Sequence, residues 1–385
     1  MTNRERILAV LKKEKPDYVP WCGDLAYWID YLLKDNKMPE EYMKKSTQRQ
    51  SVMNEGLASA FVGEGLQKLH RDLDVGFYLQ GYFPFTTRYD GVKVTETVDS
   101  DYRVTMVETP YGNLKEVWQY TKQTYSWAPQ EHLLKTYKDL EAFKYLYEHT
   151  YYEPDYALAE RRREIIGDNG VVLCYLPKSP FMETVALRAG IEATIYMKLD
   201  APDLFEEVMA LMEKKHDEAA MIALHSPAEC LMIPENITSE VVGKDNYENY
   251  MRRYQEKWVN RIREAGKYSF VHLDGTMKGL IRELSSAGFD VLEALTPEPV
   301  GDIAIEDLHQ WVDDDTIIWG GIPGGLFSDQ VSDEDFDAHV IRVLKVMTKE
   351  PRYVLGVADQ VVPHARFDRI KRVSELVKQY GKYEQ

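Results

Sequence analysis

The chain contains the stretch Phe270-Val271-His272-Leu273-Asp274-Gly275, in which a short apolar run ends in an imidazole and a carboxylate. Two neighbouring runs end in a similar way, because Cys230-Leu231-Met232-Ile233-Pro234 is followed by Glu235 and Val291-Leu292 is followed by Glu293. Short apolar runs bounded by turn residues are typical of buried strands. The three runs therefore predict three successive strands, each with a polar side chain at its end.

Eight such runs occur along the chain and alternate with stretches of helical spacing. They cover residues 19–22, 75–79, 171–176, 230–233, 270–271, 291–292, 317–319 and 353–355. Alternating buried strands and helices predict parallel crossovers, and eight repeats predict closure into a barrel. We therefore assign the chain to the α/β class, as a (β/α)8 TIM barrel with N-terminal helices that forms a single domain over residues 1–385.

One segment departs from this alternation. Residues 89–128 are rich in Val, Thr and Tyr, with turn signals at Asp90-Gly91 and Tyr111-Gly112. This composition predicts antiparallel strands. We interpret the segment as a β insertion after the second barrel strand.

The composition argues against several classes of partner and location. A formal net charge of −17 and an isoelectric point near 5.1 argue against nucleic-acid binding. There is no apolar signal core at the N-terminus and no uncharged span of about 18 residues, so we expect neither secretion nor a membrane partner. The three cysteines are widely spaced and suit a reducing compartment. We expect a cytoplasmic protein, and the sequence leaves a homodimer open.

Polar residues follow six of the predicted strands. In (β/α)8 barrels, catalytic residues come from the C-terminal ends of the strands. For any one of these residues, a helix cap or a loop hydrogen bond is the alternative explanation. Together they predict an active site made from Asp24, Gln80, Glu235, His272 with Asp274, Glu293 and Asp359.

Several of the 26 tyrosines fall near the same strand ends. Aromatic walls suit a flat aromatic substrate through stacking and edge contacts. Ordinary packing is the alternative for each tyrosine. The predicted substrate-binding residues are Tyr27, Tyr78, Tyr82, Tyr175 and the carboxylate Asp359.

Several sequence blocks follow one another along nearly the whole chain. They are Arg4-Glu5-Arg6 to Pro16-Asp17-Tyr18-Val19-Pro20, His272-Leu273-Asp274-Gly275, Gly288-Phe289-Asp290-Val291-Leu292-Glu293 with Val300-Gly301-Asp302, Trp319-Gly320-Gly321-Ile322-Pro323-Gly324, and Leu355-Gly356-Val357. Their order and spacing resemble the uroporphyrinogen decarboxylase superfamily, whose members adopt a (β/α)8 barrel. That superfamily includes porphyrinogen decarboxylases and metal-dependent methyltransferases that work with corrinoid proteins, so the resemblance implies either reaction.

The first departure from that pattern concerns the porphyrinogen decarboxylases. Their arginine-rich segment Met-Arg-Gln-Ala-Gly-Arg-Tyr is replaced here by residues 21–28, which contain no arginine. A substrate with many carboxylates would meet Asp24 instead of guanidinium groups, which is the wrong sign of charge. The departure argues against tetrapyrrole decarboxylation.

The second departure concerns the methyltransferases that activate thiols, which hold zinc with a His-x-Cys motif and a distant Cys. Here His272 is retained, but Asp274 stands at the Cys position and the distant Cys falls near Ala358-Asp359. Hard oxygen ligands leave more positive charge on zinc than sulfur ligands do. The resemblance then implies activation of an oxygen or nitrogen leaving group, and the chain is most similar in character to the corrinoid-dependent branch that removes methyl groups from donors such as aryl methyl ethers (the O-demethylase methyltransferase I branch).

Two zinc-ligand sets are open. We prefer Glu235, His272 and Glu293, because each ends a different, consecutive strand and a fourth position stays open. The rival set is His272, Asp274 and Asp359. Asp274 and Asp24 are the predicted catalytic carboxylates, although Asp274 could also orient the imidazole.

The functional hypothesis is a zinc-dependent methyltransferase that demethylates a small methyl donor and passes the methyl group to a separate corrinoid protein. The tyrosines favour an aromatic donor. One alternative is a decarboxylase of a smaller carboxylated substrate. Another is a catalytically silent barrel that binds a corrinoid protein.

Overall fold

The computed structural model describes residues 1–43, 46–48, 61–77 and 82–383. The predicted site residues Tyr78 and Gln80 lie outside the described residues. The strands, in chain order, are β1 (Trp21–Gly23), β2 (Ser46–Gln48), β3 (Phe61–Gly63), β4 (Gly76–Phe77), β5 (Phe85–Tyr89), β6 (Lys93–Val98), β7 (Tyr102–Thr109), β8 (Gly112–Thr121), β9 (Ser126–Glu131), β10 (Thr150–Pro154), β11 (Leu173–Tyr175), β12 (Cys230–Ile237), β13 (Tyr268–Leu273), β14 (Val291–Leu295), β15 (Ile317–Pro323) and β16 (Tyr353–Ala358).

Helices separate most of these strands. Two π-helical segments, Thr184–Arg188 and Tyr247–Met251, continue helices in the second half of the chain. The α-helices are α1 (Asn3–Leu11), α2 (Ala26–Lys34), α3 (Glu40–Met43), α4 (Glu64–Leu73), α5 (Leu140–Glu148), α6 (Ala157–Ile166), α7 (Pro180–Glu183), α8 (Gly190–Asp200), α9 (Pro202–Leu224), α10 (Ser239–Asn246), α11 (Arg252–Glu264), α12 (Ile281–Ser286), α13 (Leu308–Trp311), α14 (Asp333–Met347) and α15 (Phe367–Tyr380).

Eight strands form one parallel sheet, in the order β11-β12-β13-β14-β15-β16-β1-β4. A parallel bridge between Phe77 and Gly170, just before β11, joins the two ends of this order. Each of the eight predicted runs contributes one of these strands. The predicted (β/α)8 barrel is therefore confirmed.

Successive residues of each barrel strand face opposite sides of the sheet, and both sides are buried. Inward-facing side chains from seven strands pack into one cluster, which includes Cys230, Met232 and Phe270. Their sequence neighbours Leu231 and Ile233 belong instead to the large cluster between the sheet and the helices. This two-sided burial is typical of parallel sheets covered by helices. It also determines which strand-end residues can reach the barrel mouth.

Helix α1 covers the N-terminal end of the barrel. Thr2 and Glu5 form a reciprocal capping box at its start. Its residues Ile7, Val10 and Leu11 pack against the interior cluster. The C-terminal ends of the strands lie at the opposite end of the barrel, where the candidate active site is located.

Antiparallel strands lie between the second and third barrel strands, close to the predicted limits of 89–128. Strands β6 to β9 form a four-stranded antiparallel sheet over residues 93–131, and β5 pairs with β10. Among the described residues, none of the helices combines the length and apolar character needed to cross a membrane.

Candidate active site

A cavity of about 920 Å³ lies at the C-terminal ends of the barrel strands and extends to the antiparallel sheet. Barrel residues form one part of its wall, and residues of β5 to β8 form another. Its polar and aromatic lining includes Asp24, Tyr27, Phe83, Tyr175, Lys178, Glu183, Arg188, His216, Asn236, His272, Asp274, Glu293 and Asp359, with Tyr89, Glu96, Glu116 and Trp118 from the antiparallel strands.

His272 and Glu293 form a close pair in this cavity. They are direct partners in the β13–β14 register, so their side chains project from the same face of the sheet. Nδ1 of His272 donates to Oε2 of Glu293 over 2.5 Å. Burial opposes a charged imidazole, but the Glu293 carboxylate outweighs it and raises the pKa of His272 to about 9. The pair is therefore an imidazolium–carboxylate pair at neutral pH.

Asp359 faces the other side of the same imidazole. Its Oδ1 lies 3.8 Å from Nε2 of His272. Burial raises the pKa of Asp359, the His272 charge lowers it, and Asp274 and Glu293 raise it further. His272 thus lies between two carboxylates, with Nδ1 bonded and Nε2 directed toward Asp359.

Three strand ends beside the cavity carry a residue in the left-handed backbone region. These residues are Asn236 (φ 53°), Ala294 (φ 63°) and Asp359 (φ 67°). Non-glycine residues in this region are uncommon, and they cluster at functional sites. The penultimate residues of β12 and β14, and the residue that follows β16, therefore hold an unfavourable conformation that the surrounding packing supports.

The predicted residues Asp24, Tyr27, Tyr175 and Asp274 also line the cavity. Oδ1 of Asp24 accepts a hydrogen bond from the backbone N–H of Ala26 over 2.9 Å. Burial raises the pKa of Tyr27, and the charges of Asp359, Asp24 and Asp274 raise it further. Tyr27 therefore lies within electrostatic reach of three predicted site carboxylates.

Tyr82 lies elsewhere. Its side chain is 1% exposed and packs under the guanidinium of Arg162, with 4.4 Å between the Arg162 Cζ atom and the ring centre. It is absent from the residues that line the cavity. Tyr82 therefore has an ordinary packing role, which was the alternative explanation for each predicted tyrosine.

Glu235 points away from the barrel mouth. It is fully buried, and its carboxylate accepts hydrogen bonds from Nε2 of Gln255 in α11 and from Oγ of Ser179. Cys230 and Met232 face the barrel interior, so alternation along β12 places Glu235 on the helix side of the sheet. The structure does not bring Glu235 together with His272 and Glu293.

The arrangement of these residues does not fit a three-ligand zinc site. Glu293 is bonded to Nδ1 of His272, and of the rival set only His272 and Asp359 face each other closely. In the part of the chain that the structure describes, no group of three or more His, Cys, Asp or Glu side chains is placed to hold a metal ion. We assign no chemical step to zinc.

A second polar cluster in the cavity was not predicted. Arg188 donates from Nε and Nη2 to Oε1 of Glu183, over 2.9 and 2.7 Å. Tyr147 donates to the same oxygen, and Nε2 of His216 lies 3.3 Å from Oε2 of Glu183. Burial opposes the charged carboxylate, but Arg188 and His216 outweigh it and lower the pKa of Glu183 to about 2. These residues lie on helices, outside the strand-end pattern used for prediction.

Lys178 was also missed, although it follows β11 by only three residues. It lines the cavity and is 8% exposed. A lysine after an apolar run is a weak sequence signal, because most lysines in such positions are solvated.

Comparison with known protein families identifies the family of this chain. The family model for uroporphyrinogen decarboxylase (URO-D) matches residues 134–380, which is more than half of the chain. The chain belongs to the URO-D family. The predicted resemblance is thereby confirmed.

Among the similar solved structures, one shares the fold over its whole length. A methyltransferase from Methanosarcina mazei superposes with a TM-score of 0.60, at 13% identity, over 99% of each chain. An octameric ribulose-1,5-bisphosphate carboxylase/oxygenase from Pyrococcus horikoshii OT3 gives a TM-score of 0.30 at 10% identity, over 62% of this chain and 48% of that one. No curated protein matches the sequence significantly.

Proposed function

We propose that this URO-D-family barrel is a methyltransferase that removes a methyl group from an oxygen of a small donor and passes it to a corrinoid protein. The observation that carries the proposal is the His272–Glu293 pair in the cavity at the strand ends. It offers a charged hydrogen-bond donor at the position where a barrel enzyme performs its chemistry.

The proposed role of His272 follows from the chemistry of demethylation. When the carbon–oxygen bond breaks, its electron pair stays on the oxygen, and the leaving group becomes an oxyanion. A fixed N–H donor stabilises such a charge and can then give up its proton. Glu293 holds Nδ1, so Nε2 is the nitrogen available to the leaving oxygen. The corrinoid, carried by the partner protein, supplies the nucleophile that takes the methyl carbon.

The charge of the cavity favours this reaction over decarboxylation of a polycarboxylate. Among the lining residues, Asp and Glu outnumber Lys and Arg: the acids are Asp24, Glu96, Glu116, Glu183, Asp274, Glu293 and Asp359, and the bases are Lys178 and Arg188. Arg188 is already paired with Glu183. A substrate with several carboxylates would therefore be repelled.

Zinc binding remains a prediction from the sequence. In the structure, the predicted ligands do not lie together around a common point. His272 and Asp359 offer two facing donors, with Asp274 in the same cavity. Because a third ligand is not in place, the proposed mechanism depends on the His272 N–H alone.

The test is methyl transfer from a panel of aryl and alkyl methyl ethers to free cob(I)alamin, followed by its visible spectrum. We expect transfer by the wild-type protein and a loss in kcat of about 100-fold in His272→Gln, the usual effect of removing one oxyanion donor. His339→Gln is the matched control, because His339 bonds the Gly321 carbonyl and does not line the cavity.

Two results would overturn the proposal in favour of its alternatives. Release of CO2 from aromatic carboxylates without corrinoid, together with no transfer from any ether, would identify a decarboxylase. Binding of a corrinoid protein with neither reaction, and with no effect of His272→Gln, would identify a silent binding barrel.

A further inference from the structure

Lys178 is a buried cation in the cavity with an unusual set of partners. Its Nζ donates to the carbonyl of Pro234 and, over 2.7 Å, to Oδ1 of Asn236. An ammonium has three N–H donors. No acceptor for the third is found among residues 1–43, 46–48, 61–77 and 82–383.

Hydrogen bonds hold both the main chain and the side chain of Lys178. Its own carbonyl accepts a hydrogen bond from Nδ1 of His216 over 2.9 Å. Asn236, which accepts from Nζ, is one of the residues in the left-handed region. The side chain is therefore fixed in the cavity wall rather than free to reach solvent, as a surface lysine would be.

The charge of Lys178 has no direct counter-ion within the described part of the chain. Arg188, the other strong base of the cavity, forms an ion pair with Glu183, whereas Lys178 forms none. Burying an unpaired charge is unfavourable. Burial lowers the pKa of Lys178 to about 8, against the opposing charges of Glu235, Glu183 and Asp274. An anionic group of a ligand would relieve this cost.

We propose that Lys178 binds one carboxylate of the substrate, so that the methyl donor is a monoanion. The third N–H supplies the hydrogen bond, and the fixed ammonium supplies the charge. The surrounding acids oppose further negative charge on the ligand beyond the group that Lys178 binds. This inference rests on the proposed function for the ligand's identity as a methyl donor.

The test compares two probes that differ only in the anionic group, 4-methoxybenzoate and 4-methoxybenzyl alcohol. Binding is measured by isothermal titration calorimetry, without corrinoid. We expect the wild type to bind the carboxylate about 10- to 100-fold more tightly than the alcohol, since hydrogen bonds to charged groups are worth that much. Lys178→Gln should lose this preference, and Lys178→Arg should keep part of it.

Lys215→Gln is the matched control. Lys215 is 7% exposed, similar to Lys178, but its Nζ donates to the carbonyl of Thr150 and it does not line the cavity. Its replacement should leave the preference intact. Thermal unfolding of each variant identifies any that fails to fold. If Lys178→Gln fails, Lys178→Arg replaces it: a partial loss of affinity for the carboxylate, with unchanged affinity for the alcohol, supports the proposal, and unchanged affinity for both probes overturns it.

The possible outcomes distinguish failure of the Lys178 role from failure of the methyltransferase function. An unchanged preference in Lys178→Gln, or no binding of either probe by the wild type, overturns the role of Lys178. A Lys178-dependent preference without methyl transfer from any ether supports the carboxylate site and overturns the methyltransferase. Methyl transfer from 4-methoxybenzoate, with kcat and KM unchanged in Lys178→Gln, supports the methyltransferase and overturns the role of Lys178.

Discussion

His272 and Glu293 are neighbours across β13 and β14, and 2.5 Å separates Nδ1 of the imidazole from Oε2 of the carboxylate. This contact determines which nitrogen is available in the cavity. It also stabilises the charged imidazole against the cost of burial. Both the proposed chemistry and the pH behaviour of the protein follow from it.

Glu293→Gln should lower the pKa of His272 from about 9 to near or below its ordinary value of 6.5, because burial then acts without its main opposing charge. NMR titration of the His272 ring measures the change. Glu116→Gln is the control, since Glu116 lines the same cavity but is not among the groups that shift His272. A pKa that stays near 9 in Glu293→Gln would refute the assigned cause.

The same pair should make folding stability fall at alkaline pH. The folded-state pKa of His272 is about 9, above the ordinary 6.5, so its contribution is complete below pH 6.5 and is lost as the pH rises through 9. The difference corresponds to about 3 kcal/mol. Urea denaturation between about pH 6 and pH 9.5 should show a correspondingly smaller loss in His272→Gln than in the wild type. Equal losses in the two proteins would contradict the prediction.

Zinc binding distinguishes the two predicted ligand sets. From the geometry, we expect purified protein to hold well under one zinc per chain, and added zinc to bind wild type and His272→Ala alike. Atomic absorption and equilibrium dialysis measure both quantities. Stoichiometric zinc that is lost in Asp359→Ala but kept in Glu235→Gln would instead establish the set of His272, Asp274 and Asp359.

The Arg188–Glu183 pair should matter for stability far more than an exposed pair does. Arg188→Met leaves Glu183 buried without its main counter-ion, which typically costs about 3–5 kcal/mol. Arg342→Met, which removes the partner of Glu306 in an exposed pair, should cost less than about 1 kcal/mol. Urea denaturation of the two variants provides the comparison. Similar losses would show that Glu183 is adequately held by Tyr147 and His216.

Part of the site could be predicted because strand ends are visible in the sequence. The runs ending at His272 and Glu293 placed both residues at the barrel mouth, and the structure brings them together with Asp24, Asp274 and Asp359. Glu235 satisfied the same rule, yet it faces α11. Both faces of a parallel strand are apolar, so the pattern of β12 does not distinguish the inward side from the outward side.

The remaining site residues depend on contacts between distant segments. Lys178 is held by Pro234, Asn236 and His216, which lie 38 to 58 residues away along the chain. Arg188 and Glu183 are brought to the cavity by a helix whose inward face is set by packing. No local spacing encodes such contacts.

The sequence by itself determined the barrel, because alternating apolar runs and helical stretches report local burial, which the chain encodes residue by residue. The family was indicated separately, by the motifs that resemble it. Only the tertiary structure decided which strand-end carboxylate meets His272, which one turns to the helices, and that a buried lysine faces the same cavity. Those outcomes depend on strand register and on the inward or outward side of each residue, and a one-residue change in either reverses them.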